Sequence, residues 1–174
     1  MTLKNALTLL IFALFGASTL TSFAQTGTLP FPSLIRVAFA NPEKFRDIGS
    51  TYVSSGKVRE DYLEQLRKHL LLRAGPIVSN GQQLSVTITD VDMAGGFEPW
   101  RVRLADVRIV RDVYPPRINL NFKLTDAGGT VIKQGERKLR NPAFLMTAVA
   151  YRDAPLRHEK ALLDDWLERD FPRS

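Results

Sequence analysis

The 174-residue chain has no cysteine at all. Disulfide staples are therefore excluded, and stability has to come from the core alone. Lipid anchoring through a cysteine behind an export signal is excluded with them. Histidine is nearly absent too, with only His69 and His158, which leaves little from which to build a zinc site. Between Lys4 and Arg36 there is no charged residue. Beyond that region no apolar run reaches the roughly 20 residues needed to span a bilayer. The Gly-rich phosphate loop Gly-x-x-x-x-Gly-Lys and the dinucleotide fingerprint Gly-x-Gly-x-x-Gly are both missing, which removes the usual nucleotide-binding signatures.

What the chain does contain is core material. Hydrophobic residues make up 44% and charged residues 24% of the sequence, a balance that excludes a disordered tail or a collagen-like fibre. The net charge is +6, from 24 Lys plus Arg against 18 Asp plus Glu. The first 24 residues read as an export signal. Lys4 supplies the positive start, an apolar block runs from Ala6 to Phe15, and small residues at Ser22 and Ala24 suit cleavage before Gln25. That block is too short for a transmembrane anchor. Residues 25–33, with two prolines and no charge, read as an extended leader, and residues 34–174 as a single domain. The expected product is periplasmic, soluble and not a lipoprotein, with net charge +5 once Lys4 is removed from the +6 total.

Leu34 to Ala40 reads as a first strand, stopped by Asn41-Pro42, and residues 43–56 as a polar loop. Lys57 to Ala74 reads as a helix. Val58, Tyr62, Leu66 and Leu70 recur every four residues, Glu60, Asp61 and Glu64 lie in its first half with Arg67, Lys68 and Arg73 in its second, and Gly75-Pro76 ends it. Leu84 to Val91 alternates as a strand, Asp106 to Val113 is β-rich, and Arg117 to Thr125 alternates without a fault. Asp126-Ala127-Gly128-Gly129 reads as a hairpin turn returning into a strand over residues 130–139. Asn141-Pro142 opens a short helix through about Ala150, and Asp153 with Pro155 opens the last helix. The order β-α-β-β-β-β-α predicts an α+β fold: a two-layer sandwich whose mostly antiparallel sheet of four to five strands carries its helices on one face.

Leu84 to Asp92, Phe97-Glu-Pro-Trp100, Asp106 to Val110, Tyr114-Pro-Pro-Arg-Ile118 and Glu159 to Trp166 together resemble a group of small exported bacterial proteins. This is domain of unknown function family three thousand and sixteen. The resemblance covers nearly all of the chain beyond the leader. It implies a Gram-negative, periplasmic protein, and it implies no activity and no active-site residues.

The chemistry-bearing residues gather between Thr89 and Arg117. Asp90 and Asp92 are two apart, so at a strand end their carboxyls leave one face roughly 6–8 Å apart. An inverting glycosidase uses carboxylates at that separation, and with Glu98 they form the candidate set for an envelope glycan hydrolase. Asp at a strand exit more often satisfies turn backbone. As a calcium loop the same segment fails, because Ala94 and Arg101 stand where oxygen ligands belong. His158-Glu159 begins like a zinc-protease helix, but Leu162 replaces the second His. No metal or cofactor is expected.

Arg101, Arg103, Arg108, Arg111 and Arg117 offer forks for carboxylate or phosphate, or else form an internal network with neighbouring acids. Gly95-Gly96-Phe97-Glu98-Pro99-Trp100 reads as a mobile exposed loop, with either aromatic free to anchor a partner or to tuck into the core edge. The residues therefore point to a non-enzymatic binding or adaptor protein of the cell envelope. Its binding set is Phe97, Glu98, Trp100, Arg101, Arg103, Arg108 and Arg111. Its partner is an envelope protein or an anionic envelope component, such as a lipid head group or a cell-wall carboxylate. Nucleic acid is not expected.

Overall fold

A computed structural model describes residues 34–49, 56–79, 81–101, 103–147 and 154–172. The expected signal and leader, the opening Asp153 and the end of the 141–150 helix lie outside the described residues. The main sheet contains β1 (Ile35–Phe39), β2 (Gln83–Asp92), β5 (Arg117–Thr125) and β6 (Val131–Arg140), in the order β1-β2-β5-β6. β2, β5 and β6 pair antiparallel, whereas β1 pairs parallel to β2. The connection that permits this is α1 (Gly56–Ala74), which carries the chain over one face of the sheet. After β6 come α2 (Phe144–Thr147) and α3 (Arg157–Asp170). The architecture is thus α+β, with helices on one face of a mixed sheet.

The core lies between the helices and one sheet face. It joins Leu84, Val86, Ile88, Ile118, Leu120, Phe122 and Leu124 to Leu66, Leu70, Leu163 and Trp166. Trp166 is fully buried, with ring centroids 5.6 Å from Phe122 and 5.9 Å from Phe171. Its indole N–H donates to Asp170 Oδ2 at 3.0 Å, which satisfies the one polar atom that burial would strand. The α1 stripe is wider than its leucines suggest. His69 lies in it, buried, with Nε2 2.9 Å from Asp164 Oδ1, and Arg73 Nε donates to the same oxygen at 3.0 Å. The ring fills a core position and its polar edge is met from α3.

One irregularity matters for the site. Strict alternation in β2 would put Asp90 and Asp92 on the face of Leu84, Val86 and Ile88, toward the core. The pairing with β5 slips between Ile88 and Asp90. The bulge places Val91 in the core and leaves both aspartates on the solvated face, Asp92 opposite Arg117.

The expected strand over residues 106–113 is a correction. Only β4 (Arg108–Ile109) is strand, and it pairs with β3 (Gly96–Phe97) as a separate two-stranded ribbon. Between them the described residues 98–101 and 103–107 form tight turns: Arg101 N–H donates to Glu98 O, Leu104 to Arg101 O, and Val107 to Leu104 O. The β propensity of Val107, Ile109, Val110 and Val113 is real but finds no neighbouring strand of the main sheet to join. The result is an arm, residues 93–114, leaving the sheet between β2 and β5.

Candidate functional site

The arm is held at its root by Arg108. Its guanidinium donates Nη1 to Asp47 Oδ2 at 2.9 Å and Nη2 to Asp47 Oδ1 at 2.7 Å, a two-point fork. The same groups reach the Gly49 carbonyl at 2.9 Å and the Gly95 carbonyl at 3.2 Å. Phe97 lies beneath the fork, its ring centroid 4.5 Å from Arg108 Cζ. Asp47 in turn belongs to a segment that runs beside the end of β2. Its N–H donates to Val91 O and its carbonyl accepts from Met93 N–H, both at 3.0 Å. One arginine therefore ties the arm to the 45–49 segment and so to the sheet.

A second knot sits farther along. Glu98 is only 1% exposed. Its Oε1 accepts from Arg111 Nη1 at 3.0 Å and from the Tyr114 hydroxyl at 3.3 Å. Its Oε2 lies 2.6 Å from Arg101 Nε, an ion pair without hydrogen-bond alignment. Two cations facing one buried carboxylate explain how the charge tolerates burial.

Gly95 supplies the tight spot where the ribbon begins. Its φ is +84°, and a Cβ there would stand 2.8 Å from the Ile109 carbonyl oxygen. The bare backbone at Gly95 permits this close packing.

A third contact comes from a residue that the sequence raised only as part of a failed zinc motif. Glu159, in the first turn of α3, is 2% exposed, and its Oε1 accepts the Ala94 N–H at 2.7 Å. Burial pushes its carboxyl above the ordinary range, with Arg108 pulling the other way. Beside it His158 is buried with its ring edge-on to Phe144, centroids 4.7 Å apart. Burial and the neighbouring Arg157 lower its proton affinity. Arg157 Nε donates to His158 Nε2 at 3.0 Å, so the neutral ring carries its proton on Nδ1. A cavity of about 320 Å³ opens between these residues and the arm root, walled by Met93, Val110 and Leu156. Leu156 itself takes a left-handed φ of 58°.

The candidate residues divide as follows. Trp100 is 68% exposed at the arm tip, while Phe97 is half-buried under Arg108; of the two aromatics one is free and one is tucked in. Arg101, Arg108 and Arg111 are engaged internally as described. Arg103 is exposed and has no ion pair among the described residues. It does not share an extended face with Arg101, because the segment is turn rather than strand. Asp90 and Asp92 form their own cluster. Asp90 Oδ1 accepts the Arg46 N–H at 2.9 Å, and the Arg46 guanidinium lies 3.8 Å from Asp90 and 3.5 Å from Asp92. Arg117 Nε stands 3.9 Å from Asp92. Burial raises the Asp92 carboxyl above its ordinary range, against the pull of Arg46 and Arg117. His69 and His158 have separate partners: Asp164, which His69 meets, is six residues beyond His158, about 9 Å along α3. Among the described residues no three acidic or histidine side chains gather as metal ligands would.

What the arm leaves exposed is apolar. Besides Trp100, Leu104 is 40%, Val107 50%, Val110 39% and Val113 60% exposed. A comparison with protein families matches residues 33–169 to a protein of unknown function, DUF3016. No curated protein and no solved structure matches the chain.

Proposed function

Because the chain belongs to the DUF3016 family of proteins of unknown function, which brings no activity with it, we propose from the geometry that it is a non-enzymatic periplasmic binding or adaptor protein of the cell envelope. The observation that carries this reading is the contrast within the arm. Its ionic groups are largely spent internally, in the Arg108–Asp47 fork and the Glu98 knot, yet Trp100 and four aliphatic side chains stay in solvent. Ion pairs hold the backbone in place and so preorganise an apolar tip for contact. A folded protein leaves a group of that kind uncovered chiefly where something else covers it. Arg103, exposed and without an ion pair among the described residues, supplies charge pairing to an anionic partner. The test is in-cell photo-crosslinking with the reactive group in place of Trp100, followed by mass spectrometry. A discrete adduct is expected. Loss of every adduct, together with a silent Trp100→Ala variant in envelope phenotypes, would refute the reading.

The alternative is a glycan hydrolase using Asp90, Asp92 or Glu98. One observation favours it: Asp92 is pushed up by burial, as a general acid requires. Asp92→Asn separates the two, since it abolishes turnover in a hydrolase and leaves binding through the arm unchanged.

A further inference from the structure

We infer that the arm tip is an interfacial anchor and that its occupant is the surface of an anionic lipid bilayer. The inference rests on the binding reading above and names the partner that the arm fits. Three observations carry it. The first is composition by position. Trp100, Leu104 and Val107 fall on successive turns of the 98–107 segment, each exposed, with Val110 and Val113 exposed on the return. An indole with exposed aliphatic side chains on the same arm, among arginines, is the mixture that settles at the boundary between head groups and acyl chains.

The second observation is shape. Trp100, Leu104 and Val107 stand exposed at the tip. The cavity at the arm root is lined by Arg108 and Val110 but by none of these three. A protein partner of comparable strength would need a complementary pocket for the indole, whereas a fluid interface accepts a protruding side chain without one.

The third is where the charge lies. The arm's four arginines are offset in number by Glu98, Asp106 and Asp112, so the arm itself is near balance. At its root the strand ends add Arg117 opposite Arg140, with Arg46 beside Asp90 and Asp92. The whole chain is basic at +6, and at +5 without the Lys4 of the expected signal. Attraction to anionic lipid is therefore modest and long-range, and apolar insertion of the tip carries the affinity. Among the described residues no helix is long and apolar enough to cross a membrane, so contact is at one surface.

The two tryptophans make the test direct. Trp166 is fully buried and Trp100 is 68% exposed, so a change in emission on adding lipid reports Trp100. The protein, in the form that the cell accumulates, is titrated with vesicles of phosphatidylglycerol mixed with phosphatidylcholine, and with phosphatidylcholine alone. Emission should shift to the blue and the protein should sediment with the anionic vesicles. Trp100→Ala and Val107→Glu should each lower the partition coefficient about tenfold or more, with unchanged circular dichroism because both side chains are exposed. Arg103→Glu should weaken binding to the anionic vesicles and leave the weaker binding to neutral ones alone. Absence of sedimentation, or equal binding by the Trp100→Ala variant, overturns the lipid assignment. If a discrete protein adduct then appears from the crosslinker at position 100, the binding reading stands with a protein partner. If neither appears, both fall.

Discussion

Removing Arg108 should cost far more than removing an ordinary surface arginine, and the structure sets the size. The side chain is 12% exposed and its partner carboxylate 29%. Arg108→Ala deletes both limbs of the Asp47 fork and strips the donors from the Gly49 and Gly95 carbonyls. It also leaves Asp47 uncompensated near Asp92 and Glu159, both of which already feel its charge. A solvated pair is worth about 0–1 kcal/mol, and breaking a fully buried one costs roughly 3–5 kcal/mol. Because Asp47 keeps some water, the expected loss is about 3 kcal/mol. With a urea slope near 2 kcal/mol per molar, that moves the midpoint by about 1.5 M. In a thermal scan it lowers Tm by roughly 6–12 °C. Arg108→Lys cannot form the fork and should recover at most about half of the loss. The decisive measurement is a double-mutant cycle with Asp47→Ala, where a coupling of at least ~1.5 kcal/mol is expected between groups in contact. A coupling within ~0.5 kcal/mol of zero, or a midpoint shift below about 0.5 M, would refute the view that this fork fastens the arm.

Other perturbations probe the same frame. Gly95→Ala forces a Cβ to within 2.8 Å of the Ile109 carbonyl at φ +84°, and should destabilise by at least ~2 kcal/mol in urea unfolding; a neutral result would mean that the ribbon does not pack as described. Trp166→Ala should cost about 3–5 kcal/mol by calorimetry, and a loss under about 1 kcal/mol would contradict its place in the core. For Glu159 the folded-state proton affinity is raised, so as pH climbs past the ordinary 4.5 the unfolded chain gives up its proton first. Stability therefore falls with rising pH from there to the raised folded value, by at most about 1.4 kcal/mol per pH unit. Glu159→Gln keeps an acceptor for the Ala94 N–H and has no proton to lose, so its urea midpoint should vary less between pH 4.5 and about 8. Superimposable pH profiles would refute the assignment.

The fold was legible wherever one periodicity met one buried face. β5 runs from Arg117 to Thr125 as its alternation states, and α1 ends at Ala74, where Gly75-Pro76 stops it. The arm was legible in content and not in form. Its geometry depends on Arg108 meeting Asp47, 61 residues earlier, and no local pattern encodes a pairing at that distance. The bulge at Ile88/Asp90 is equally silent in the sequence, although it decides on which side of the sheet two aspartates stand. Glu159 carried a faint signal. An acidic residue three places after Leu156 suits a helix start, but nothing local says that it is buried against Ala94. His69 sat within the apolar stripe of α1, and a polar ring there implies a partner from elsewhere. That partner, Asp164, lies 95 residues on.

The parallel pairing of β1 with β2 also sets a schedule for synthesis. Ile35 is matched with Leu84, 49 residues later, and β2 finds its next neighbour only in β5, which begins at Arg117. A nascent chain emerging from its amino end thus holds an apolar segment, Ile35 to Phe39, that has nothing to zip against until nearly half of the polypeptide exists. The sheet cannot close until β6 has followed.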